Sequence, residues 1–187
     1  MGALTRGSYR RGLEGNPRVR SASLRVGIIA DTHGLLRPEA RKFLAGSDHI
    51  LHAGDIGSED LLDALRVIAP TSVVRGNNDT EPWARDIPES LLLEFGSIGV
   101  FIVHDRAALG SRAAPAAANV IVTGHSHKPA LDEWQGRLMV NPGSAGPRRF
   151  KLPVALAELR IERRTVAARV MDLASLRPLA ECSQAFG

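Results

Sequence analysis

The chain has 187 residues, 44% of them hydrophobic, which suits one domain with a substantial core. Aromatics are only 4%, so that core is mostly Leu, Val, Ile and Ala, and the stacking platforms of single-strand nucleic-acid binders are poorly supplied. Cys182 is the only cysteine and no apolar run approaches about 18 residues, which argues against a disulfide framework, a Cys-rich zinc site and a membrane-spanning helix, and fits a cytoplasmic setting.

The formal charge of +4 is unevenly placed. Arg6, Arg10, Arg11, Arg18, Arg20 and Arg25 face a single acid, Glu14, in the first 25 residues, and the rest of the chain is close to neutral. Residues 1–23 read as a disordered basic tail, and 24–187 as the folded domain. Residues 24–34, LRVGIIADTHG, open that domain. Val26, Ile28 and Ile29 make the near-continuous apolar run of a strand buried on both faces. The run ends in Asp31-Thr32-His33-Gly34, where a buried strand reaches solvent. Pro38 then opens a helix over PEARKFLA.

Residues 49–52, HILH, read as a second strand, running into Gly54-Asp55. Ser58 is placed to cap a helix carrying Leu61, Leu62, Leu65 and Ile68, which Pro70 closes. Residues 71–75 form a third strand, running into Gly76-Asn77-Asn78-Asp79. Three β-α units in succession predict parallel strands with right-handed crossovers. The pattern then changes to a hairpin, 91–95 and 98–104, around Gly96-Ser97, ending in His104-Asp105. The Ala-rich segment 107–118 reads as helix and loop. Residues 120–123 form a strand ending in Gly124-His125-Ser126-His127, and 138–141 one ending in Asn141-Pro142-Gly143-Ser144. A last hairpin, 154–160 and 165–172, turns around Glu162-Arg163-Arg164. Units of this kind predict an α/β fold of two packed sheets with helices outside.

Asp31, His33, Asp55, Asn77, His104, His125 and His127 each lie at or just past a strand end. They supply carboxylate, imidazole and one amide oxygen, a set suited to Mn²⁺, Fe, Zn²⁺, Ni²⁺ or Co²⁺. Seven ligands exceed the needs of one ion. Two divalent ions about 3.5–4 Å apart, Mn²⁺ the first choice, would use them all, clamp a phosphoryl oxygen and hold a hydroxide in line with the leaving group. Glycines before Asp55, Asn77 and His125 let the backbone turn sharply there.

The series D-T-H-G, G-D, G-N-N-D, V-H and G-H-S-H resembles the calcineurin-like metallophosphoesterase family. The R-G-N-x-D form and the later N-P-G-S resemble its small prokaryotic YfcE-type phosphodiesterase branch, over roughly residues 24–172. The resemblance implies a four-layer αββα sandwich of two mixed sheets flanked by helices, with the dimetal site at the C-terminal ends of the strands. It implies that Asp31, His33 and His127 hold one metal and Asn77, His104 and His125 the other, with Asp55 bridging. Asp55, Asn78 and Asp79 are its catalytic candidates.

Two positions depart from the family pattern. Asn78 stands where many members have a His that protonates the leaving group, and an amide cannot act as a general acid near neutral pH. Asp105 follows the ligand His104 where Gly is common. Around the site, Asn78, Asn141 and Ser144 are candidate substrate contacts, with a structural turn an equal reading for Asn141 and Ser144, and Asp79 is placed to hold the Asn77 loop or to pair with Arg75. His52 reads as a satisfied near-core histidine, with support of a ligand as the alternative, His49 as surface or sheet edge, and Arg148 and Arg149 as solvated charge, with contact to a substrate phosphate as the alternative. The expected activity is that of a metal-dependent phosphodiesterase acting on a small phosphoester, with no membrane or nucleic-acid partner and self-association left open. The competing reading is a non-catalytic interaction scaffold on the same fold, as in the retromer subunit of the wider family. A nucleic-acid-binding arm would rest on residues 1–23 alone.

Overall fold

The computed structural model describes residues 5–9, 23–111 and 114–187. In chain order the elements are β1 (Thr5–Tyr9), β2 (Leu24–Ile29), α1 (Pro38–Leu44), β3 (His49–His52), α2 (Glu59–Arg66), β4 (Thr71–Val73) and a 3-10 turn at Pro82–Ala84. There follow β5 (Ser90–Phe95), β6 (Ile98–Val103), α3 (Ala108–Ser111), β7 (Val120–Val122), β8 (Ala130–Trp134), β9 (Arg137–Asn141), β10 (Ala155–Glu162), β11 (Thr165–Asp172) and β12 (Pro178–Ala185).

The strands make two six-stranded mixed sheets, β1-β5-β6-β7-β9-β8 and β12-β11-β10-β2-β3-β4. The expected β-α units are present: β2, β3 and β4 pair in parallel through α1 and α2. Three apolar clusters mark the seams between four layers. Val26, Ile28, Leu51, Val100, Val122 and Leu159 are among the residues that fill the space between the sheets. Ile29 and Ile50, on the other face of the second sheet, meet Ala40 and Leu44 of α1 and Leu61, Leu62 and Leu65 of α2. Phe101, Ile121 and Met139 of the first sheet meet Leu109 of α3. β2 therefore buries both faces, as its unbroken apolar run predicts. Burial of each such Leu or Ile contributes about 1.5–3 kcal/mol.

The differences from expectation lie at the periphery. Thr5–Tyr9, read as part of a disordered tail, pairs in parallel with β5; the remainder of residues 1–22 lies outside the described residues. β8 and β12 are edge strands that the sequence pattern did not announce. β4 stops at Val73, two residues before the expected end, and the Ala-rich segment yields only a four-residue helix. Among the described residues, no helix is long and apolar enough to cross a membrane.

His49 is a correction. It is buried, because β3 runs between β2 and β4 and its first residue faces the opposing sheet. Its ring meets Phe95 edge-on at 5.4 Å between centroids, and Nε2 lies 2.9 Å from Ser72 Oγ. Burial lowers its pKa to about 4. The folded chain thus holds it neutral while the unfolded chain protonates it below about 6.5, so this position costs stability as pH falls from about 6.5 toward 4. His49→Leu should remove that cost. Urea unfolding at pH 7.5 and at pH 5 should show the variant gaining on wild type by about 2 kcal/mol between the two. A difference that does not change with pH would contradict a buried neutral His49.

Candidate metal centre

The seven ligand candidates converge at the carboxyl ends of the strands, where open α/β sheets bind ligands. Asp31 and His33 follow β2, Asp55 follows β3, Asn77 follows β4, His104 follows β6, and His125 and His127 follow β7. Their backbone is unusual. Nine non-glycine residues have positive φ among the described residues, and five of them are Asp31, His33, Asp55, His125 and His127, at φ 45 to 63. Left-handed backbone is uncommon for such residues and clusters where surrounding structure holds a site in place. Gly54 has φ +93 and lies against the His104 ring, where an added Cβ would stand 2.6 Å from Nδ1. Any side chain there would push His104 off the site.

Two pairs of histidines face each other across the carboxylates. His33 and His127 stack with centroids 5.5 Å apart, and His104 and His125 meet edge-on at 5.3 Å. On the first side, single ligand atoms of Asp31, His33 and His127 all lie within 4.8 Å of one another. Asp31, Asp55 and His104 form a second such group. On the far side, Asn77 Oδ1 lies 3.2 Å from His104 Nε2 and 2.9 Å from His125 Nδ1. Asp55 touches both halves: Oδ2 is 3.9 Å from His33 Nε2, and Oδ1 is 3.4 Å from His104 Nε2. Asp55 thus lies between the two histidine pairs, and Asp31 also reaches toward the second group.

The donors fit divalent cations. Both carboxylate oxygens of Asp31 are buried and accept no hydrogen bond among the described residues. Burial raises its pKa to about 7. An orphaned buried carboxylate is costly unless a cation neutralises it. For Asp55, burial is outweighed by donors from His104 and from the Asn78 backbone and side-chain amides, which hold its carboxyl well below the usual range. His104 donates Nδ1–H to the Ala53 carbonyl at 2.6 Å, so Nε2 faces the centre, the arrangement common in metal-ligating histidines. Burial against the partly offsetting Asp55 charge lowers the pKa of His33. Burial, reinforced by the Arg149 charge, lowers that of His127 to about 4. Neutral imidazoles are the form that binds metals.

Several neighbours are supports. Asp79 is buried and accepts from the backbone N–H groups of Ile56, Gly57 and Gly76 at 2.8, 3.0 and 2.8 Å. It ties the Asp55 loop to the Asn77 loop, and Arg75 pairs with Glu89 instead. It is a positioning residue rather than the catalytic one expected, since both its oxygens are turned to backbone. Asn78 donates to Asp55 twice, from N at 2.9 Å and from Nδ2 at 2.5 Å. Asn141 and Ser144, expected at the mouth, are buried. Asn141 Nδ2 donates to the Gly124 carbonyl at 2.8 Å and so holds the G-H-S-H loop, and Ser144 donates to the Asp31 carbonyl at 2.9 Å. They shape the ligand loops, the structural role. Asp105 accepts from Ala107 N at 2.9 Å, closing a local turn.

His52 is the satisfied buried histidine expected, and it has a task. Gly54 N–H donates to Nδ1, so Nε2–H donates to Thr32 Oγ1 at 2.8 Å, and Thr32 donates to the Ile56 carbonyl at 2.9 Å. This chain sets Thr32 between the two ligands Asp31 and His33. Burial keeps His52 neutral, with a pKa lowered to about 3. Arg149, for which solvated charge is the first reading and contact with a substrate phosphate the alternative, comes to the centre: its Nη2 lies 3.3 Å from His33 Nε2. No local signal marks it, because its approach depends on how the loop after β9 lies over β2.

The model of the calcineurin-like phosphoesterase superfamily domain matches residues 24–164. The chain belongs to this superfamily. Among curated relatives, a probable metallophosphoesterase of Methanothermobacter thermautotrophicus is 34% identical over 159 residues, covering 78% of this chain and 91% of the relative. The probable metallophosphoesterase YsnB of Bacillus subtilis is 33% identical over 162 residues, covering 81% and 92%. Of solved structures, Vacuolar Protein Sorting 29 from Cryptosporidium parvum aligns with a TM-score of 0.74 at 21% identity, covering 88% of this chain and all of that one. The phosphoesterase Yfce from E. coli aligns with a TM-score of 0.65 at 19% identity, covering 85% and 98%. At such identity these last two speak for the fold alone. As a calcineurin-like phosphoesterase, the chain carries the superfamily's fold and a donor set matched to divalent metal.

Proposed function

We propose that the protein is a phosphodiesterase dependent on two divalent ions, Mn²⁺ by preference, acting on a small phosphoester in the cytoplasm. The observation that carries this reading is the buried Asp31 carboxylate, with His127 Nε2 3.3 Å from Oδ1, set between two histidine pairs, with Asp55 spanning them. Asp31, His33 and His127 would hold one ion, Asn77, His104 and His125 the other, and Asp55 both. When bound, such ions polarise a phosphoryl oxygen and supply a nucleophile at neutral pH.

The chain's own residues set the geometry around that chemistry. Asn78 fixes both oxygens of Asp55, and Asp79 locks the loops that carry Asp55 and Asn77. Beside Asn77, His104 and His125 opens a cleft of about 630 Å³, walled by Arg75, Thr80 and Asp105. A leaving group entering it meets no histidine beyond the ligand set, and Asn78 is committed to Asp55.

Hydrolysis of bis-p-nitrophenyl phosphate with Mn²⁺, Fe²⁺, Zn²⁺, Ni²⁺ or Co²⁺ added one at a time tests the proposal. Turnover with at least one ion, lost on chelation and restored on its return, is expected. The alternative is an interaction scaffold, for which the likeness to Vacuolar Protein Sorting 29 speaks. The complete ligand set speaks against it, and a protein inert with all five ions would make it the better reading. A second check is thermal. Binding relieves the buried Asp31 charge and acts only on the folded chain. At 100 times Kd it should add about 2.7 kcal/mol, a Tm rise of roughly 5–10 °C for a chain of this size. An unchanged Tm across all five ions would count against a preformed site.

A further inference from the structure

The segment after β9 is lashed to the end of β2. Ala145 N donates to the Ala30 carbonyl at 3.1 Å, Ser144 to the Asp31 carbonyl, and Arg37 Nη2 to the Gly146 carbonyl at 3.1 Å. The next residues form a turn closed by Leu152 N to the Arg149 carbonyl at 3.1 Å and by Arg148 Nε to the Leu152 carbonyl at 3.3 Å. Arg148 is thus used within the turn. Arg149 is not: its guanidinium reaches out to His33 Nε2. Phe150, next along, has φ +53 and is 94% exposed, the most exposed large apolar side chain among the described residues. A bulky residue in left-handed backbone is rare, and a bare phenyl ring in water is unfavourable without a partner.

We propose that Arg149 and Phe150 form a substrate rim selecting phosphoesters that carry a planar ring, with the guanidinium on a phosphoryl oxygen and the ring stacked on Phe150. This rests on the phosphoesterase reading above. The His33 lone pair that Arg149 meets is the one a metal ion would claim, which leaves the guanidinium beside the centre and in need of an anion. Its planar, always charged fork suits a phosphoryl group. In the cleft beside Asn77, Arg75 is matched by Glu89 at 3.0 Å, so it offers less to an anion. Base–aromatic stacking tolerates any planar ring and supports selection by shape.

The test separates the rim from the reaction. Phenylphosphonate and methylphosphonate, which cannot be hydrolysed as esters, are titrated into the Mn²⁺-loaded full chain by calorimetry, with metal content measured on each variant. Wild type should bind phenylphosphonate about 10-fold more tightly than methylphosphonate. Phe150→Ala should erase that preference and leave methylphosphonate binding unchanged. Arg149→Ala should weaken both by about 10-fold or more at full metal content, and Arg149→Lys should recover part. In turnover, Arg149→Ala should raise KM for bis-p-nitrophenyl phosphate with kcat changed only a few-fold. Equal wild-type affinity for the two phosphonates, unaltered binding in Arg149→Ala, or loss of metal from that variant would overturn the rim. If no ester is turned over with any ion, the phosphodiesterase proposal fails by itself, and the phosphonate titrations still decide whether the rim exists.

Discussion

Asp55→Ala is expected to abolish phosphodiester hydrolysis and to empty both metal positions together. Asp55 faces a histidine on each side, His33 at 3.9 Å from Oδ2 and His104 at 3.4 Å from Oδ1. It also anchors Asn78 by two hydrogen bonds, so its loss frees the loop carrying Asn77. Loss of an outer partner of a metal ligand typically costs 10–100-fold, and a bridging ligand should cost at least about 100-fold in activity and in affinity for each ion. The measurement is metal content by elemental analysis beside kcat/KM. His127→Ala provides the contrast, since it touches Asp31 at 3.3 Å on one side and should weaken one position more than the other. An Asp55→Ala protein that kept two tightly held ions and its activity would refute the bridge.

The second large effect concerns the leaving group. Aryl phosphodiesters are expected to be cleaved faster than alkyl phosphodiesters by about 100-fold or more, the usual worth of a general acid. Nitrophenolate departs without a proton, whereas an alkoxide needs one. Asn78 has no proton to give near neutral pH, and its amide is already donated to Asp55. The same metal-loaded protein assayed on bis-p-nitrophenyl phosphate and on a dialkyl phosphodiester decides it. Similar rates on the two would mean that another group delivers the proton.

Much of this was legible in the sequence because of where the informative residues sit. β2, β6 and β7 are buried on both faces and therefore read as largely apolar runs. The ligands follow those runs directly, so their order along the chain carries the site. Edge elements carry no such mark. β12 begins at Pro178 and is exposed at every second residue, and β8 shows mostly half-exposed and charged positions. Such strands take their pairing from the neighbouring strand rather than from their own pattern. His49 went the other way: a polar residue at the start of an apolar run gives no sign of which strands will flank it.

The chain's order of residues thus determined the family and the two-sheet architecture, and marked seven candidate donors at strand ends, because each is a short-range pattern of burial followed by chemistry. Only the tertiary structure decided what each polar side chain near the centre is used for. Asn141, Ser144 and Asp79 turn inward to backbone groups that lie 17, 113 and 23 residues away in the chain. Arg149 crosses 116 residues to reach His33. A side chain's partner across such distances follows from how loops pack over one another, and no spacing in the sequence encodes that packing.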